Sequence, residues 1–144
     1  MNSYFPDINV WVALVYRGHQ HHAIATTWFD QLATDTASFC RLTQLGFLRL
    51  LTLPALMRVE VRNQKEAWEA YDILVDDPHV TFCSEPDVDA IEDEFRALTT
   101  TTQFSPQQWS DAYLAAFAKS SNLTLVTFDR ALAKLAGKGV VLLR

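Results

Sequence analysis

Five short apolar runs, separated by helical segments, constrain this chain more than any other feature. They are Ser3–Pro6, Ala37–Cys40, Val80–Cys83, Leu123–Thr127 and Val140–Leu143. Each is nearly continuous in apolar character rather than alternating, as expected of strands buried on both faces. Helical patterns fill the intervals: Asn9–Tyr16, His22–Leu32, Leu42–Leu51, Asn63 to about Val75, Asp87 or Asp89 to Leu98, Ser105 onward, and Arg130–Ala136. Gly18, Pro54 and Pro78 punctuate them, and Gly137 and Gly139 bracket the turn into the last strand. The alternation predicts an α/β fold, a central and mostly parallel sheet between two layers of helices. Ligands in such sheets sit at the carboxyl ends of the strands.

Three aspartates fall at that edge. Asp7 lies just past the first run and Asp129 just past the fourth. Asp111 lies near the start of the helix that precedes Leu123. Ser105-Pro106-Gln107-Gln108 there has the form of a capping box with proline at the first helical position. Asp111 to Ser121 spans about 15 Å of helix, and Leu123 to Phe128 returns roughly 16 Å as strand. A helix is antiparallel to the strand that follows it, so Asp129 comes back to the level of Asp111. Each aspartate alone is explained by capping or by a helix dipole. Three converging from distant segments are expensive, because burial and like charge raise each pKa. A hard divalent cation such as Mg²⁺ or Mn²⁺ makes the arrangement reasonable. It would also activate water and offset charge on a phosphate.

Composition narrows the class. The 144 residues suit one domain spanning 1–144, and a 49% hydrophobic content supplies a core. No apolar run approaches the roughly 18 residues of a membrane span, and the N-terminus lacks signal-peptide features. Cys40 and Cys83 read as buried free thiols, so a reduced, cytoplasmic protein is expected. A net charge of −5 excludes a generally basic nucleic-acid footprint. Charge is uneven, however: residues 41–65 hold five basic side chains and one acid, and residues 72–94 hold nine acids and no Lys or Arg.

The segments FPDINVWVAL, CRLTQLGFLRLLT, WSDAYLAAFA and LVTFDRAL resemble the PIN-domain ribonucleases, and most of all the VapC toxins of bacterial toxin–antitoxin pairs. They run in order from Phe5 to Leu132. The resemblance implies a three-layer α/β/α sandwich with a five-stranded sheet. It implies Mg²⁺- or Mn²⁺-dependent endonucleolytic cleavage of RNA, with Asp7, Asp111 and Asp129 as metal-holding catalytic residues. Thr127 matches a hydroxyl often beside the last aspartate, and Asn9 a polar residue beside the first. A VapB-type antitoxin that inserts a helix and a basic tail, a tRNA or rRNA substrate and homodimerisation are further implications. Helices near Ala23–Leu32 and Leu45–Leu51 are expected to receive the antitoxin.

One departure stands out. The family usually has a glutamate where this chain has Gln44. An amide can coordinate through its oxygen but brings no charge, so the alternative is a PIN-like module that binds RNA or protein without cutting. Glu85 or an acid in 89–94 is a candidate to compensate. A DNA nuclease or a phosphoesterase of small substrates is a third reading. Arg41 and Arg49, flanking Gln44, are candidate RNA contacts. His19, His21 and His22 fit no usual zinc spacing. Trp28 and Trp109 lie on apolar helix stripes and are expected in the core rather than stacked on bases.

Overall fold

The computed structural model describes residues 1–144. Five parallel strands form one sheet: β1 (Ser3–Pro6), β2 (Thr36–Phe39), β3 (Val80–Phe82), β4 (Thr124–Thr127) and β5 (Val141–Leu142), in the order β3-β2-β1-β4-β5. The chain builds outward from β1 to β3, then crosses back to lay β4 on the other side of β1. The β1/β4 boundary is therefore a topological switch point, where an open α/β sheet forms its crevice. Register there pairs Phe5 with Leu125 and Pro6 with Val126. The residues that follow, Asp7 and Thr127, thus emerge together at the carboxyl edge.

Eight α-helices accompany the sheet: α1 (Ile8–Val15), α2 (His22–Asp30), α3 (Arg41–Leu51), α4 (Pro54–Met57), α5 (Gln64–Asp76), α6 (Val88–Thr99), α7 (Gln108–Ser120) and α8 (Arg130–Ala136). They cover its two faces with separate cores. On one face Trp11, Phe39, Phe47, Leu51, Met57 and Tyr71 join α1, α3, α4 and α5 to the sheet. Trp11 lies flat on Phe39, with centroids 3.9 Å apart. On the other face Phe5, Ile91, Leu114, Phe117, Leu125 and Leu132 join α6, α7 and α8 to it. Tyr4 packs with the first core and Phe5 with the second, as alternation along a strand requires. At Gly46 the helices α1 and α3 approach closely: a Cβ there would overlap Cδ1 and Cγ1 of Ile8.

The structure departs from expectation in several places. α7 begins at Gln108, and no side chain caps it. Gln107 is already in the right-handed helical region, and the Gln108 N–H donates to the Ser105 carbonyl at 3.0 Å, so a backbone turn replaces the expected capping box. Cys40 leaves the strand to become the N-cap of α3, where Thr43 Oγ1 accepts its N–H at 2.9 Å. It is buried, but Cys83 is only half-buried. The short α4 and a 3₁₀ turn at Arg58–Glu60 follow Pro54, where only a break was expected. Trp109 is 57% exposed and touches Phe95 edge-on, so it is not a core residue. Trp28 is half-buried against Tyr4. No helix is long and apolar enough to cross a membrane.

Candidate active site

Asp7 is the N-cap of α1 and is only 8% exposed. Its own N–H extends the sheet, donating to the Val126 carbonyl at 2.8 Å. Its Oδ1 accepts the Ile8 N–H at 2.6 Å, and its Oδ2 accepts the Thr127 hydroxyl at 3.0 Å. Thr127, fully buried, in turn accepts the Asp129 N–H at 3.0 Å. One hydroxyl therefore ties the end of β1 to the entry of α8. Asp129 is the N-cap of α8, its Oδ1 accepting from Ala131 at 2.8 Å and Leu132 at 3.3 Å. Capping and site formation are thus compatible. The caps fix the direction of both carboxylates.

Asp111 completes the cluster from the first turn of α7. Burial raises the Asp7 pKa to about 6 against the hydrogen bonds from Thr127 and Ile8, with Asp111 and Asp129 adding to the rise. Burial, then Asp129, raises Asp111 as well. The mutual effects place three acids from three chain segments within electrostatic reach. None of them takes part in an ion pair; the ion pairs are His79–Asp77, Arg96–Glu92 and Lys119–Glu94. The donor set is all hard oxygen and lacks a counter-charge, which fits a divalent cation. The acids do not close into a preformed three-ligand cage. That fits Mg²⁺, which keeps several waters and takes one or two carboxylates directly.

Most of the remaining candidates have partners of their own. Gln44 is buried in the first turn of α3, but its Oε1 accepts from the Arg41 guanidinium and it lies beside Tyr71. Arg41 also sits 4.9 Å above the Phe82 ring. Arg49, in the last turn of α3, is about 12 Å further along the helix axis than Arg41. Glu85 accepts the Tyr113 hydroxyl at 2.7 Å, which with burial pushes that phenol well above its usual pKa. Glu92 and Glu94 are paired with Arg96 and Lys119. These three acids are already engaged by Tyr113, Arg96 and Lys119.

The histidine cluster is the part that the sequence understated. His19, Gln20 and His21 share an open pocket of about 240 Å³ with Asp7, Asn9, Phe128 and Asp129. The sequence brought these histidines to notice only as a spacing that fits no usual zinc site, because the loop that carries GHQHH has no periodic pattern to orient it.

A PIN domain model matches residues 4–138. The chain belongs to the PIN-domain family. Within that family it is 39% identical over 137 residues to Ribonuclease VapC41 of Mycobacterium tuberculosis, covering 91% of this chain and 92% of that protein. Ribonuclease VapC39 of the same organism is 28% identical over 143 residues, covering 94% of each. Among solved structures, VapBC2 from Rickettsia felis, bound to a promoter DNA fragment, superposes with a TM-score of 0.68 at 13% identity over 97% of this chain and 96% of that one. VapC20 of Mycobacterium tuberculosis, a toxin described as cleaving the sarcin–ricin loop, gives 0.67 at 16% identity over 98% and 99%. These two likenesses concern the PIN fold, which the five-stranded parallel sheet reproduces.

Proposed function

We propose that this PIN-domain protein is the toxin of a VapBC-type pair, an endoribonuclease that hydrolyses RNA phosphodiesters at the Asp7–Asp111–Asp129 cluster with Mg²⁺ or Mn²⁺. The observation that carries the reading is the uncompensated acidic cluster at the β1/β4 switch point, with Asp7 raised to about 6. A divalent cation bound there supplies Lewis acidity and offsets the charge of the phosphate.

The chain's own residues do the rest. Thr127 holds Asp7 by its Oδ2 and so orients the carboxylate while easing its ionisation. The α8 amides hold Asp129 Oδ1. Asp111 brings its charge from the opposite wall, on a helix anchored by the second core. Gln44 supports the fold of α3 through Arg41 rather than serving as a ligand. The family's RNA substrate, of tRNA or rRNA type, approaches along the carboxyl edge, where Arg41 is exposed. Arg49 belongs to a more distant surface.

A cognate VapB-type antitoxin is the partner this reading requires. A basic side chain from it would find three carboxylates with no cation of their own. Leu45 on α3, an apolar residue 57% exposed, is a contact candidate for its helix. Homodimerisation is part of the same family reading.

The test is cleavage of a labelled tRNA and rRNA pool by purified, antitoxin-free protein in Mg²⁺, in Mn²⁺ and in EDTA, beside Asp7→Asn. Discrete metal-dependent fragments absent from the variant support the proposal. Equal cleavage by Asp7→Asn, or by the wild type in EDTA, overturns the site. A folded protein that cuts no RNA returns the reading to a binding module.

A further inference from the structure

The pocket beside the acidic cluster has a floor of stacked rings. His21 lies on Phe128 with centroids 4.3 Å apart and planes 17° apart, and His19 lies 6.3 Å from Phe128 at 29°. Phe128 is held between Thr127 and Asp129 in the chain, so the rings have a fixed position relative to the carboxylates. Asn9 and Gln20, both exposed, bring amide groups to the same pocket. The volume, about 240 Å³, is below the roughly 300–1,000 Å³ of a pocket for a drug-sized ligand. Asp7 and Asp129 line this space together with the rings, so a group seated on the rings lies next to the carboxylates.

Neither metal nor phosphate explains this arrangement well. The three imidazoles are not gathered on one point: His19 Nδ1 accepts the His21 N–H at 3.0 Å, and His22 Nδ1 is taken up with the Ala13 carbonyl at 2.6 Å. Flat rings with amide-bearing walls beside a cleavage centre are what an unstacked base needs, a surface to lie on and groups to read its edge.

We propose that His21, stacked on Phe128, is a platform for one nucleobase next to the scissile phosphate, with Asn9 and Gln20 reading its edge. This rests on the proposed carboxylate site. It makes His21 a specificity-determining residue for the cleavage reaction. Cleavage then requires single-stranded or looped RNA, because a base inside a duplex cannot reach a pocket of this kind.

The test uses single-stranded RNA hexamers carrying 2-aminopurine at one position at a time. They are titrated into the Asp111→Asn protein in Mg²⁺, since Asp111 does not line the pocket. Stacking quenches the fluorescence at one position. His21→Ala abolishes that quenching and weakens binding about 5- to 150-fold, the range for loss of one base–aromatic stack. His21→Phe retains both. Phe128→Leu, which keeps apolar volume without the plane beneath His21, behaves as His21→Ala does. An abasic residue at the quenched position weakens binding to the parent and not to His21→Ala. Thermal melting of each variant separates a folding defect from a binding one. The proposal is overturned if no position is quenched, if His21→Phe loses as much as His21→Ala, or if the abasic penalty survives in His21→Ala. Hexamers still cut by Asp111→Asn would instead indict the carboxylate site, while quenching in the same titration still reads the platform.

Discussion

Around the ends of β1 and β4, Asp7 and Asp129, joined by Asp111 from the first turn of α7, lie within electrostatic reach and have no cationic partner. At the ends of β2 and β3, on the same edge of the same sheet, the polar groups answer one another. Arg41 bonds to Gln44 and lies on Phe82, and Glu85 takes the Tyr113 hydroxyl. The first half is held in an electrostatically unfavourable state by the fold around it. The second half is satisfied as it stands. The neighbouring half shows that this sheet edge can be neutralised, so the acidic half is the one that fits the proposed cation.

The comparison breaks most sharply at Asp7. Asp7→Asn is expected to lower metal-dependent cleavage at least about 100-fold, more than the loss typical of a residue that only supports a ligand. Single-turnover cleavage of the RNA pool measures it. Thr127→Val should follow, with metal affinity down about 10-fold, because Asp7 loses a hydrogen bond that favours its ionised form. The same change strips the Asp129 N–H of its acceptor, at about 1–3 kcal/mol of stability. Metal titration by calorimetry and urea unfolding read the two effects separately.

Stability gives a third contrast, with the opposite sign. In metal-free protein Asp7 keeps its proton to about pH 6, whereas an unfolded aspartate releases it near 3.8. Between those values the folded state binds more protons, so stability falls as pH rises, by about 3 kcal/mol from this group at most. Asp7→Asn removes that slope. In EDTA it should therefore be more stable than the parent by about 1–3 kcal/mol at pH 7.5, and not at pH 4, after allowance for a weakened hydrogen bond to Thr127. Metal affinity of the parent should fall as pH drops through about 6, as protons compete for Asp7. Unfolding at the two pH values, with and without Mg²⁺, would expose a site that carries no such strain.

The smallest effect is expected in the satisfied half. Gln44→Glu restores the family's usual acid, yet Arg41 is already in place to pair with it. Metal affinity should change by less than about threefold. A larger gain would show that residue 44 turns toward the crevice when charged, and that the two halves are electrostatically continuous.

Much of this was readable beforehand. The five strands and their parallel arrangement were legible in continuous apolar runs alternating with helical patterns, and the return of Asp129 to the level of Asp111 in the rise per residue of helix and strand. Side-chain partners were not readable. Gln44 sits where the motif puts it, but which way its amide turns depends on Arg41 one turn earlier. Trp109 lies on a stripe that looks apolar, but the stripe continues past the edge of the core. The His19–His21 loop has no period, and only the register of β4 shows that Phe128 lies beneath it.

Gly46 carries the furthest consequence. With a hydrogen in place of a side chain it allows α3 to rest on Ile8, the residue whose N–H holds Asp7. A side chain at position 46 would have to displace the Ile8 side chain, beside the amide that holds Asp7. Any change at that seam reaches the proposed carboxylate site through Ile8, without touching a carboxylate.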